Sequence, residues 1–237
     1  MKSKRVSNVV LSTSLGDIRP SNSEKFLGGI VQKDLKWNEH IAKDKDNLLS
    51  ALSKRCNALQ IIAKVASFKT RKTIANGLFI GKLSYLISVW GGTSRENFDL
   101  LQIVQNRAAR IVTKNWKSST ADNLNAIGWL SVRQLAFYHT VLLMFKIKLS
   151  KKAGGISVPQ YLVNMYDWSY EYQTRQAMDG KIKPKGIPKL ESTKRSFRFR
   201  AAEQFNQLPN EIANSTSVES FKSRVKLWIK ENIKIKS

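Results

Sequence analysis

From residue 37 onward, the spacing of apolar residues leaves one class of fold open. In KWNEHIAKDKDNLLSALSKRCNALQIIAKVAS, the residues Ile41, Leu48, Leu52, Leu59, Ile62 and Val65 recur at intervals of three, four and seven, which places them on one face of a helix. A second helix is predicted over 69–90, with Ser67 or Thr70 as its N-cap and Gly91 with Gly92 as its stop. The first two helices are expected to pair antiparallel. Gly77 and Gly81 stand four apart in the second and would admit a close neighbour, at about 1 kcal/mol each relative to Ala.

Helical periodicity continues to the C-terminus. Ser94 is the expected cap of RENFDLLQIVQNRAARIVTKN, whose apolar stripe is Phe98, Leu101, Val104, Ala108, Ile111 and Val112. Gly128 is expected to stop a short helix over 120–126. Ser131 caps VRQLAFYHTVLLMFKIKL, with Leu135, Tyr138, Leu142 and Phe145 as its buried stripe. KRSFRFRAAEQFNQLP reads as a basic segment entering a helix that Pro209 ends. Ser217 caps a last helix, with Phe221, Val225, Trp228 and Ile229 on one side and Lys222, Lys226 and Lys230 on another.

Two stretches depart from this period. Residues 6–13 and 25–32 are short β-branched or aromatic runs joined by LGDIRPSNSE, which predicts one antiparallel strand pair. Gly28 and Gly29 within the second run suggest a bulge or a place where another backbone comes close; a strained bend without a ligand is the other reading. Residues 151–196 carry prolines and glycines among basic residues and read as a linker or extended arm. Tyr and Trp near Arg175 in that stretch could stack on unpaired bases or plug the edge of a helical core. The fold class is therefore mainly α, a helical bundle with a small N-terminal β-hairpin and a C-terminal helical extension. Five segments follow: 1–36, 37–92, 93–150, 151–196 and 197–237.

Charge narrows the function. Forty-one Lys and Arg against 17 Asp and Glu leave a net charge of +24 over 237 residues, an excess that favours a polyanion, because each neutralised phosphate releases condensed counterions. Arg107, Arg110 and Lys114 fall three, four and seven apart, a register that can follow a phosphate backbone and is equally that of a solvated face. No run approaches the roughly 20 apolar residues that span a bilayer, and MKSKRVSN is not followed by the apolar segment of a secretory signal. Cys56, the single cysteine, fits a packing role in a reducing compartment.

Catalytic and metal constellations are not evident. His40 and His139 are the only histidines, and His139 reads as a packing residue. Asp44 and Asp46, two apart on a helix, diverge by about 200° and cannot share a metal. The chain has no GxxxxGKS or GxGxxG phosphate loop.

The order of several strings carries a resemblance. KFLGGIVQKDLKWNEHI, SYLISVWGG, LLQIVQNRAARIV, IGWLSVRQLAFYH, TRQA, RSFRFRAAEQFNQLPNEI and SFKSRVKLWI together resemble the region that follows the catalytic palm in non-LTR (LINE-type) retrotransposon reverse transcriptases. The resemblance implies that Leu27 and Gly28 belong to a primer-grip hairpin, and that 37–92 form a thumb-type bundle closing on template and primer. Residues 93–237 would be a C-terminal extension. Gly29 and Gln32 depart from the family's β-branched and acidic residues at those places. The palm's paired aspartates would precede Met1, so the resemblance implies part of a longer or decayed element that does not polymerise alone, with Mg²⁺ belonging to the palm.

The expected partner is RNA or an RNA–DNA primer–template, in a nucleus or ribonucleoprotein particle. The expected nucleic-acid contacts are Leu27, Gly28, Arg71, Lys72, Arg107, Arg110, Lys114, Arg133, Lys146, Lys194, Arg195, Arg198 and Arg200. An unrelated basic helical module that scaffolds a ribonucleoprotein is the alternative.

Overall fold

The computed structural model describes residues 10–14, 16–43, 46–153, 158–168 and 181–235. It is mainly α, with 61% of it helical and only small two-stranded antiparallel sheets beside the helices. The expectations for Asp44, Arg175 and the TRQA string lie outside the described residues.

The N-terminal region corrects the expected strand pairing. Two tight hairpins replace one wide one: β1 (Leu11–Thr13) pairs with β2 (Gly16–Ile18), and β3 (Ser23–Phe26) pairs with β4 (Gly29–Gln32). The second turn explains the change. Leu27 and Gly28 take φ of 48° and 78°, the two successive positive values of a type I′ turn, whose twist matches the strands it joins. Gly28 therefore makes the turn rather than a bulge. At Gly29 the closest neighbour is a side chain, since a Cβ there would stand 3.1 Å from Leu86 Cδ1, and the nearest backbone atom is the carbonyl oxygen of Phe26 across the turn at 3.6 Å.

Helices follow in the order α1 (Leu48–Ile62), α2 (Phe68–Ala75), α3 (Gly81–Ser84), α4 (Ile87–Trp90), α5 (Arg95–Thr113), α6 (Thr120–Ile127), α7 (Val132–Ala153), α8 (Gln160–Val163), α9 (Glu191–Arg195), α10 (Phe197–Phe205), α11 (Asn210–Ala213) and α12 (Val218–Asn232). A π-helical turn at Glu39–Lys43 precedes α1, and another at Asn76–Ile80 joins α2 to α3. Starts are set by side-chain caps. Ser67, Ser94, Ser119 and Ser217 accept the N–H of Thr70, Asn97, Asp122 and Ser220, each worth about 1 kcal/mol. At α7 the cap is reciprocal: Ser131 Oγ accepts from the Gln134 amide and Gln134 Oε1 accepts from that of Ser131, a capping box.

Several helical expectations need correction. The helix over 69–90 is broken at Leu86, whose φ is 55°; Trp90 Nε1 donates to the Tyr85 carbonyl freed by the break. Helix α1 ends at Ile62, leaving Val65 91% exposed, and it packs chiefly on α5 rather than on α2. Gly77 and Gly81 admit no neighbouring helix, because a Cβ would meet nothing at Gly77 and only the carbonyl of Asn76 at Gly81. Pro209 opens α11 instead of closing α10.

One continuous core runs from Trp37 to Ile229. Helix α7 is its axis. Ala136, Phe137, Val141, Met144 and Ile147 are buried along with the expected Leu135, Tyr138 and Phe145, so most of the circumference is enclosed rather than one stripe. Helices α10 and α12 close over it. Phe221 of α12 stacks on Phe145 at 4.0 Å between centroids and on Phe205 at 6.2 Å. Part of the 151–196 stretch is built into this packing: β5 (Tyr166–Asp167) pairs with β6 (Lys183–Pro184), and Tyr166 is fully buried with Trp168 edge-on at 5.9 Å. These two rings plug the core. Cys56 does likewise at the α1–α5 seam, where burial pushes its thiol up to about 11, far from a reactive thiolate.

Candidate nucleic-acid interface

One helical stretch, α2 through the π-turn to α3, presents two different faces. On one side Gly77 and Gly81 leave backbone bare in a shallow groove that is completed by Arg55, Leu78, Lys82 and Tyr85. On the other, Lys72, Asn76, Ile80 and Ser84 form one wall of a cleft of about 740 Å³. The faces are adjacent because residues four apart share a row and successive residues turn by about 100°. The π-turn lies where the rows separate, a feature common at functional sites.

The shallow groove borders the β3–β4 turn. Tyr85 Oη donates to the Leu27 carbonyl at 2.6 Å, and its ring is the nearest neighbour of Gly28. Leu27 is 70% exposed and Phe26 68%, so the turn holds apolar groups out in water. A left-handed Leu costs about 1–2 kcal/mol; the Tyr85 bond offsets part of that. His40 anchors the same hairpin from below, its Nδ1 accepting the Ile30 amide at 3.4 Å. Burial, with Lys82 second, holds this imidazole below its ordinary pKa, which keeps Nδ1 an acceptor.

The deep cleft is closed by the α6–α7 junction and by α12. Trp129 stacks on Phe79 at 5.9 Å and donates Nε1 to Asn76 Oδ1 at 2.7 Å. Lys226 Nζ lies 5.2 Å from the Tyr138 ring centroid. Lys72, Lys226 and Lys230 all line the cleft, and none of its described lining residues is Asp or Glu. His139 lines it as well; burial, then Lys226 and Lys146, lower its pKa.

The contacts expected from sequence fall into three settings. Arg71 and Arg200 are buried. Arg71 Nε and Nη1 donate to the carbonyls of Val112 and Ala66, each at 2.8 Å. Arg200 bonds the Ser88 carbonyl and Thr140 Oγ1, with burial lowering its pKa to about 10. These two guanidiniums brace helices from inside and present no face to a strand. Others are engaged at the surface. Arg133 pairs with Asp99 at 3.0 Å and lies over Phe98, Lys194 pairs with Glu191 at 2.7 Å, and Arg198 donates to the Met165 carbonyl. Arg195 Nε reaches the Glu191 carbonyl at 3.4 Å.

The third group pairs with no carboxylate among the described residues. Arg107 is exposed and bonded to Asn57 and Gln60, neutral partners that leave its charge uncompensated. Arg110 is half-buried with Nε unpartnered, and Lys114 stands at the α5 C-cap with φ of 57°, off the helical register. Lys146 is half-buried on α7. Lys72 alone of the expected residues enters the deep cleft, whereas Leu27 and Gly28 sit beside the shallow groove.

Sequence reasoning missed Arg55, Lys82, Tyr85 and Asn76 as site residues; it placed Lys226 and Lys230 on one basic face of the last helix, which it read as able to bind nucleic acid without specifying a base, and did not bring them together with Lys72. The four-residue spacing of Lys72, Asn76, Ile80 and Ser84 was a signal available to it. Among the described residues, no group of three His, Cys, Asp or Glu is placed to hold a metal, and no helix is long and apolar enough to cross a membrane. Comparison with protein-family models, curated proteins and solved structures finds no match to this chain.

Proposed function

We propose that this chain binds RNA or an RNA–DNA primer–template, as the thumb and C-terminal part of a reverse transcriptase of the non-LTR retrotransposon type, and that it does not polymerise by itself. The observation that carries the binding is the pair of grooves on either side of one helix. Five cations, Arg55, Lys82, Lys72, Lys226 and Lys230, line them, and no carboxylate does among the described lining residues. Together with a net charge of +24, that arrangement favours a phosphate backbone. The ordered strings that resemble the post-palm region support the origin. A strained turn with exposed Leu27, set against Tyr85, is where a primer-grip hairpin would meet a strand.

Fluorescence anisotropy with labelled RNA over a series of salt concentrations tests the binding. Affinity should fall steeply with salt, and changing Arg107, Arg110 and Lys114 together to Gln should lower the slope of log K against log salt by up to about 2 for single strands. Salt-independent binding would remove the electrostatic reading. Primer extension by the isolated chain with Mg²⁺ and nucleotides would overturn the claim that it does not polymerise.

The core shared between 37–92 and the later helices favours a second reading, a self-contained basic module. The reading frame upstream separates the two: a palm ending in paired aspartates supports the first.

A further inference from the structure

We infer that the deep cleft between α2, the α6–α7 junction and α12 receives one unpaired nucleotide of a single-stranded RNA, its phosphate among Lys72, Lys226 and Lys230 and its base against the apolar wall. This rests on the proposed RNA binding and goes further, because it selects single strands over duplex and assigns the selection to α12.

The cleft has the amphiphilic profile of a nucleotide. Its volume of about 740 Å³ falls in the range of small-ligand sites, room for one splayed-out base, which the paired and stacked bases of a duplex do not offer. Leu130, Leu135 and Trp129 supply an apolar wall. Stacking on Phe79 and the bond to Asn76 fix the Trp129 ring in place, so the wall is preorganised. At the rim, Lys226 is held over the Tyr138 ring rather than against a carboxylate, which leaves its charge for an incoming phosphate. Polar groups for a base edge stand between wall and rim. Asn76 spends its Oδ1 on Trp129 and keeps its NH₂, and His139 faces the same space.

An acidic peptide would satisfy the three lysines as well, but it would leave the apolar wall and the Asn76 amide unused. The cations come from two separated stretches of chain, Lys72 from α2 and Lys226 with Lys230 from α12. A single phosphate group bridging them would tie α12 to α2.

The experiment fills the cleft without touching its charge. Ser223 and Leu227 line it from exposed positions on α12, so Ser223→Trp and, separately, Leu227→Trp should block entry with the fold kept, as circular dichroism melting would check. Anisotropy is read in the full chain with a labelled oligouridine of about twelve nucleotides and with a blunt RNA duplex of the same length. Each block should weaken the single strand at least tenfold, the scale of one lost base stack, lower its salt slope by about 0.7 for the one phosphate kept out, and leave duplex affinity unchanged. Changing Lys72, Lys226 and Lys230 together to Gln should lower the single-strand salt slope by the same amount, about 0.7, because the three share one phosphate.

If the chain binds no RNA, the proposed function fails and takes this inference with it. If RNA binds and both Trp variants bind oligouridine like the parent, the inference alone is overturned. Displacement of oligouridine by polyglutamate from the parent but not from the Trp variants would give the cleft to an acidic peptide and overturn it too.

Discussion

The two faces of the α2–α3 stretch would receive a polyanion by different means. The shallow groove relies on backbone: bare glycines, a left-handed Leu27 held by the Tyr85 hydroxyl, and exposed rings, with only Arg55 and Lys82 for charge. The deep cleft relies on side chains, three lysines over an apolar wall. Conformation would position the proposed ligand on the first face, and charge with burial would retain it on the second. The difference also separates the cations themselves. Arg71 and Arg200 have gone inward as braces, while the lysines of the cleft remain at the surface. A guanidinium can satisfy several carbonyls at once, and an ammonium is too strongly hydrated to be placed so easily.

Arg200 gives the largest test of that separation. It ties the Ser88 carbonyl of α4 to Thr140 on α7, so it holds the short helix that follows the shallow groove to the axis of the core. Arg200→Ala should destabilise the protein by about 3 kcal/mol in urea unfolding, because the Ser88 carbonyl is left unpaired and a cavity opens. Arg200→Met, which keeps the apolar stem, should cost clearly less. Neither should change the salt slope of RNA binding. A slope reduced by about 0.7 in the Met variant would return Arg200 to the phosphate contacts.

Legibility in the sequence followed the same division. Caps were readable because Ser67, Ser94 and Ser217 each stand just before an apolar-periodic run, and all three accept the amide three residues on. The hairpin register was not, since a I′ turn with Leu at its first position departs from the Asn-Gly and Asp-Gly signals that mark such turns. Nor was the break at Leu86, which no Gly or Pro announces; tertiary packing imposes it by drawing Tyr85 to the hairpin and Trp90 under the freed carbonyl. The charge excess was legible as a sum. Which cations stay outside was not, because burial of Arg71 depends on carbonyls of Ala66 and Val112, the latter 41 residues away.

A smaller effect should isolate the shallow groove. Tyr85→Phe removes the bond to the Leu27 carbonyl at a partly exposed site, for a cost of about 1 kcal/mol. Amide exchange should accelerate at Phe26–Gly29 and stay unchanged at α12. Oligouridine affinity that depends on the deep cleft should hold. If it falls along with the hairpin's protection, the two faces act as one surface and the distinction between them is lost.

The smallest effect is in pH, and it should carry opposite signs on the two faces. Burial lowers both imidazoles from the ordinary value of 6.5, with Lys82 adding at His40 and Lys226 and Lys146 at His139. The folded state thus binds these protons less readily than the unfolded chain. Their contribution to stability is full above pH 6.5 and is lost as pH falls through the lowered folded values. At His40 protonation also removes the acceptor for the Ile30 amide, so acid should loosen the β3–β4 hairpin and raise its exchange rates. At His139 a phosphate beside Lys226 would favour the charged ring, so oligouridine affinity should rise between pH 7.5 and 6, as linkage requires of a group whose pKa rises on binding. His139→Gln should abolish that rise in affinity and leave the hairpin's acid sensitivity intact, whereas His40→Gln should do the reverse. An affinity that rises equally in both variants would place the titrating group elsewhere and remove the anion from the neighbourhood of His139.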